Sequence, residues 1–533
     1  MPFLPNPGLI APALSPLVVA AQTIDIDIQL PKEGLKAGKA QVTVRVSPDL
    51  GVAPTARLAM PSMAMMTIAP PTVTATGTPG EYRVAMSLPH AGTYRLAVRV
   101  TLPGKPFVEK SVPFDVKGTD DMAGMDMQGM EGMPMDMASM QGILGNWSMA
   151  REGSGTSWLP DDSPMFMKML PKAGRFSLMY MGNFSLNYTD SNVSNGRGPH
   201  EFYSNSMPML MARRGLANGD TVGFRVMGSL DPIFNGQYGA PNLFQTGETA
   251  HGNELVDRQH PHDLIAEVSG TYTKKLGNDR AFLYLAPIGE PALAGSMYLM
   301  RPSGMENPEA PITHHWFDSS HITFGVVTAG YEIGSRFKID GSVFNGKEPD
   351  ENRYSPDNLR LDSATGRLTY NPAKSLSLSL SYASLHRPER QNPDEGENRT
   401  TAALSYGKNV GGDDFFAATV LWGRDAHLGH TSDAYLAEAS LYRKDWSYYL
   451  RYENVDKDEL EGVADGSYKI NKLTLGATKD FAHGGGFDLG VGGYAGVYSF
   501  PSSLDSTYGK FPVSLGVYLR LRPSRMKMGG MRM

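Results

Sequence analysis

A chain of 533 residues is longer than one compact soluble core sustains, so two or more domains are expected. Its net charge of −6 argues against nucleic acid as a partner, and the absence of cysteine removes disulfides and thiolate metal sites. Beyond the N-terminal region there is no apolar run long enough for a spanning helix.

In chain order, Leu9 to Ala21 (LIAPALSPLVVAA) has the composition of a signal-peptide core, with Val19 and Ala21 at the −3 and −1 positions of a cleavage site. Residues 1–22 are therefore expected to direct export, although no Lys or Arg precedes Lys32. Residues 23–117 contain short alternating runs, TIDIDIQL, KAQVTVRV, EYRVAMSL and TYRLAVRV, divided by Gly and Pro. That pattern predicts a small antiparallel β-sandwich. The segment GEYRVAMSLPHAGTYRLAVRV, followed by VPFDVKG, resembles periplasmic Ig-like domains of the YtkA/FixH type. Such domains often carry a Met-rich loop before the hairpin. Here AMPSMAMM supplies Met60, Met63, Met65 and Met66, which either bind a soft metal or cap the sandwich core.

Residues 118–150 read as a flexible Met-rich linker. Met122, Met125, Met127, Met130, Met133, Met135, Met137 and Met140 recur without helical period among Gly, Asp and Pro. Exposed thioethers lose burial and invite oxidation, but they are soft ligands suited to Cu(I) and Ag(I). The bland reading is a low-complexity spacer.

Residues 151–523 alternate throughout. In LSLSLSY, Leu376, Leu378, Leu380 and Tyr382 share one face, and Ser377, Ser379 and Ser381 the other. Sixteen such runs start near Phe176, Phe202, Thr221, Leu264, Ala281, Ile322, Phe337, Ser363, Leu376, Thr400, Asp414, Ala434, Trp446, Tyr468, Phe487 and Val513. Connections after even-numbered runs are short (ANGD, GND, GS, PAKS, GGDD, KD, HGGG), and those after odd-numbered runs are long and polar. Alternating loop length predicts a transmembrane antiparallel β-barrel of about 16 strands in an outer membrane. Its short turns, both termini, the sandwich and the linker would be periplasmic. The chain closes on a Met-rich tail, 524–533, with Met526, Met528, Met531 and Met533.

Two side-chain groups stand out on this barrel. On the first strand Met179 and Met181 point to the lumen with Ser177, Asn183 and Ser185, and Met207, Met209 and Met211 share one face of the second. Together they form a candidate ladder of five thioethers; plain packing by Met is the alternative. VDRQHPHD places His260 and His262 just before strand four, and APITHHWFDSSH places His314, His315, Asp318 and His321 around the start of strand six. With only strand five between, the two groups lie about 10 Å apart at one rim, and His251 belongs to the same long loop. Imidazole with carboxylate suits Cu(II) or Zn(II), with Asp263 and Asp318 as orienting groups. Hydrogen bonds that pin long loops are the other reading.

The segments REGSGTSWLPDDSPM, VDRQHPHD, APITHHWFDSSHITFGVVT and FNGKEPDE resemble a family of outer-membrane β-barrel proteins of proteobacterial envelopes. A Met-rich lead before a barrel is similar in plan to the copper resistance protein B family, which implies handling of copper or silver by export or sequestration. This chain departs in its fused sandwich and in having no histidine between His90 and His200. The implied partners are outer-membrane lipid, copper ions and periplasmic copper-handling proteins, with no organic cofactor. A solute porin is the alternative. No enzyme is expected: SNVSNGRG matches the His-x-Ser-Asn-Gly motif of outer-membrane phospholipase at Ser194, Asn195 and Gly196, but Asn192 stands where the general base would be.

Overall fold

A computed structural model describes residues 24–526, apart from 32–33, 37, 60–68, 89–91, 103–106, 118–141, 143, 145–146, 389–394 and 428. The signal-peptide region, Met60, Met63, Met65 and Met66, the eight linker methionines and the last three tail methionines lie outside the described residues. The chain divides into two compact units, 1–127 and 128–533.

The first unit contains two four-stranded sheets. One orders Asp25–Gln29, Gly38–Ser47, Glu81–Leu88 and Thr72–Ala75; the other orders Leu35–Lys36, Val108–Lys117, Gly92–Val100 and Thr55–Ala59. Strict alternation explains the packing. In EYRVAMSL the residues Tyr82, Val84, Met86 and Leu88 are buried, and Arg83 and Ser87 are exposed. Val44, Val84, Leu96 and Val98 are fully enclosed in the shared core. Each such burial stabilises by roughly 1.5–3 kcal/mol relative to exposure.

In the second unit nineteen strand segments close into a barrel, from Met167–Ala173 to Val513–Pro523. Outward positions are apolar and inward ones polar. Leu380 and Tyr382 are 53% and 55% exposed, whereas Ser377 and Ser381 are buried. On the last strand Leu515, Val517, Leu519 and Leu521 face out, while Ser514, Tyr518, Arg520 and Arg522 are buried inside. All pairings in the barrel are antiparallel, for example Leu380 opposite Leu368 and Ala402.

The segment count differs from the sixteen runs for a local reason. The first run breaks into Phe176–Met181 and Phe184–Asp190, and the second into His200–Tyr203 and Met209–Gly215. At the break Gly182 has φ +96°, and a Cβ there would sit 2.1 Å from the Met207 carbonyl oxygen. Only glycine tolerates that backbone approach. A strand unseen in the sequence pattern, Met167–Ala173, pairs with Phe176–Met181, while Val513–Pro523 pairs with Phe184–Asp190. The closing seam thus has two partners. One loop expectation also changes: His427 pairs directly with His430, so the strands Asp414–His427 and His430–Arg443 continue where a long polar connection was expected.

The lumen is filled. Residues 290–322 fold into it and bond to strands around its circumference: Ala292 N–H to Ser342 Oγ at 2.7 Å, Ala294 N–H to Ser381 Oγ at 2.9 Å, and Arg301 Nε to Glu438 Oε1 at 2.8 Å. Tyr518 Oη donates to the Glu306 carbonyl at 3.1 Å, and Arg520 and Arg522 both pair with the Glu306 carboxylate. A second insert precedes the barrel, where Arg225 Nη1 donates to the Gly155 carbonyl at 2.6 Å and Thr156 Oγ1 to Asp340 at 2.8 Å. The expected linker end is corrected accordingly. Leu144, Met149 and Ala150 are buried, and Arg213 Nε donates to the Gly142 carbonyl at 2.6 Å.

Candidate functional sites in the barrel lumen

The broken first strands set up a methionine array. Across four neighbouring strands Met167 is opposite Met181, Met181 opposite Met209, and Met209 opposite Met227. The next row runs Met169, Met179, Met211 and Arg225. Directly paired residues on one sheet face hold their Cβ atoms about 4.5–5.5 Å apart, so flexible thioethers on adjacent strands can reach one ion between them. Met149 and Met165 from the pre-barrel insert and Met297, Met300 and Met305 from residues 290–322 face the same cavity of about 60 Å³. Met181, Met207, Met209, Met211, Met227 and Met167 complete the thioether lining, with Glu152, Arg520 and Arg522 at its polar margin. Met179 is buried in the same cluster, and Met526 of the tail packs against it. The predicted five thus belong to a larger set. Met149, Met165, Met297, Met300 and Met305 sit on irregular segments and Met227 is the one thioether of its strand, where no spacing marks them, while Met167 and Met169 alternate on the strand before the first run.

Nearer the long-connection rim five histidines pack together. Ring centroids lie 5.0 Å apart for His262 and His321, 5.2 Å for His314 and His321, and 5.7 Å for His314 and His315. His260 lies 5.9 Å from His262, 6.0 Å from His314 and 5.9 Å from His315. Every Nδ1 has an oxygen beside it: Glu248 at 3.0 Å from His260, Asp231 at 2.7 Å from His262, Asp318 at 2.7 Å from His314 and Glu348 at 3.4 Å from His315. The Asp318 carbonyl takes that place for His321, at 2.5 Å. All five Nε2 atoms are buried and have no hydrogen-bond partner among the described residues. An orphaned buried polar atom costs roughly 1–3 kcal/mol. Burial holds the His260 and His315 imidazoles well below their usual range and His321 down to about 3, so these rings are neutral and keep a free lone pair.

Two expectations are corrected, for His251 and Asp263. His251 is exposed and packs on Tyr238, at 5.1 Å between rings, not in the cluster. Asp318 holds the His314 ring: its Oδ1 meets His314 Nδ1 at 2.7 Å, and its Oδ2 accepts from the Tyr298 N–H and Arg301 Nη1, each at 3.1 Å. Asp263 pairs with Arg353 at 3.4 Å in place of a histidine. The orienting carboxylates Asp231, Glu248 and Glu348 were not signalled, because no short spacing links them to the rings: Asp231 and Glu248 lie earlier in the connection that carries His260 and His262, and Glu348 in the connection after Phe337–Phe344. Among the described residues no three His, Asp or Glu side chains already stand at the separations of a bound ion. In the loop carrying the phospholipase-like motif, Ser194 Oγ donates to Asn192 Oδ1 at 2.8 Å and to the Phe511 carbonyl at 2.9 Å.

No protein-family model matches the chain, and no curated protein does. Among solved structures it is similar to a loop-deletion form of OmpT, an outer membrane protein of Vibrio cholerae, at 10% identity and TM-score 0.39, over 65% of this chain and 99% of that one. The outer membrane channel DcaP of Acinetobacter baumannii matches at 11% identity and TM-score 0.39, over 66% and 99%. OmpF of Salmonella typhi, in complex with daunomycin, matches at 11% identity and TM-score 0.41, over 67% and 100%. At these TM-scores the likenesses carry no argument, and the barrel stands on its own ladders.

Proposed function

We propose that this chain is an outer-membrane β-barrel that handles Cu(I) or Ag(I) as cargo, by export or sequestration, through thioethers held in its lumen. The observation that carries the reading is the row Met167, Met181, Met209 and Met227, one thioether on each of four adjacent strands facing one cavity. Soft cations prefer such donors, and scattered thioethers bind weakly enough to release an ion. Counting each broken strand once gives 16 membrane-crossing staves, with Met167–Ala173 as an extra half-strand at the seam. Both termini, an Ig-like sandwich and the Met-rich linker then face the periplasm on the short-turn side, where the linker thioethers collect the ion. A diffusion porin is the weaker reading, since two inserts fill the lumen with paired charges.

A deletion strain should lose tolerance on graded copper and silver and regain it with the wild-type gene, but not with a gene whose linker and row methionines are leucine. Unchanged metal tolerance with altered uptake of small polar solutes would establish the porin. The membrane assignment has its own check. Leu380→Arg puts a charge in the outward apolar belt and is expected to cost about 2–4 kcal/mol in urea unfolding from lipid vesicles. A change within error would remove Leu380 from the lipid face.

A further inference from the structure

We propose that His260, His262, His314 and His321, with His315 at their edge, form a buried site for a divalent borderline ion of the Cu(II) or Zn(II) class, and that this ion fastens the long loops over the lumen. The site differs in donor chemistry from the thioether cavity and does not depend on it. Four observations support it. The Nε2 atoms are buried and unpartnered on all five rings, which ordinary packing does not produce. Their Nδ1 atoms meet carboxylates or a carbonyl, the arrangement that turns the remaining lone pair toward a metal and makes it more basic.

Spacing is the third observation. Imidazoles around one tetrahedral ion, with metal–nitrogen bonds of about 2.0–2.1 Å, place their ring centroids roughly 5.2 Å apart. The pairs of His321 with His262 and with His314, at 5.0 and 5.2 Å, already have that separation. His260 lies farther out, at 5.9 and 6.0 Å from His262 and His314. The fourth is connectivity. His260 and His262 end the connection between Thr221–Gly228 and Ile265–Leu276, and the other three belong to the lumen insert before Thr323–Ile333. Glu348, from the connection after Phe337–Phe344, adds a third segment at His315. One ion would join two segments that also share the bond from Asn242 Nδ2–H to the Ala310 carbonyl, at 3.0 Å. Imidazole donors backed by carboxylates select Cu(II) or Zn(II) over the monovalent ions that suit the methionines.

The test uses tag-free, full-length protein in detergent, stripped with chelator and given one equivalent of Cu(II). Electron paramagnetic resonance should show superhyperfine coupling to three or four nitrogens, and Cu(II) added to protein preloaded with one equivalent of Zn(II) should give the same signal as it displaces the more weakly held ion. His262→Gln and His321→Gln should each lower the nitrogen count and weaken binding at least tenfold. Trypsin cleavage at Arg258 should slow at least tenfold when the ion is bound. Wild-type protein without nitrogen coupling, or coupling unchanged in both variants, overturns the site. Nitrogen coupling with unaltered cleavage overturns the fastening role. The wild-type spectrum decides the first point even if a variant misfolds.

Discussion

Replacing Met167, Met181, Met209 and Met227 together by leucine is expected to remove the tightest class of Cu(I) sites, a loss of about a hundredfold or 2.7 kcal/mol. The four form one cross-strand row, so the variant deletes every sulfur of that row at once. Leucine conserves volume closely enough that each exchange costs less than about 1.5 kcal/mol of stability. Lost affinity therefore reports sulfur, not collapse. The measurement is competition with a coloured Cu(I) chelator in ascorbate, with folding checked by heat-modifiable mobility. Linker thioethers titrate in the same experiment, which is why the tightest class is the readout. Equal affinity in the variant would leave the row as packing and withdraw the cargo reading.

Glu438→Ala should be the most damaging single change in the lumen. The Glu438 carboxylate accepts from Arg301 Nε at 2.8 Å, Arg451 Nε at 3.0 Å and Ser303 Oγ at 3.0 Å, and both guanidiniums are almost wholly buried. Removing it leaves two buried cations short of a counter-charge, a loss of about 3–5 kcal/mol. Arg301 braces residues 290–322 internally through the Ser296 carbonyl and Asp318, and its bond to Glu438 ties that insert to the barrel wall, so without Glu438 the insert should loosen and the barrel should begin to pass small sugars. Urea unfolding and vesicle swelling measure the two effects. Destabilisation without flux would mean that the insert is held by its other bonds; no destabilisation would contradict the buried network.

Much of the barrel is legible because one face of each strand meets an apolar surface and the other does not. Leu380 beside Ser381 encodes that division directly, and the short turn at Gly411 to Asp414 encodes a hairpin. Met209 and Met211 are legible for the same reason. His260 and His262 can be grouped with His314 and His321 because strands one apart carry them to one rim. Asp231, Glu248 and Glu348 cannot be paired with those rings in advance, since their approach depends on how three long connections fold back. Met297, Met300 and Met305 lie on an insert without period, so nothing local says whether it projects outward or fills the lumen. Strand Met167–Ala173 escapes notice because MKMLPKA contains a proline and does not alternate cleanly.

The two-partner seam has a kinetic consequence. Phe184 pairs in register with Leu521, so the ring closes between segments more than 300 residues apart. Until the last strand exists, Phe184–Asp190 has no partner on that side, whereas Phe176–Met181 can be covered at once by its sequence neighbour Met167–Ala173. Half of the waiting edge is thus protected during synthesis by a local hairpin of low contact order, and only the other half depends on the slow, long-range step. An exposed edge invites pairing with another chain, so halving its length shortens the stretch vulnerable to misassembly while the barrel is still open.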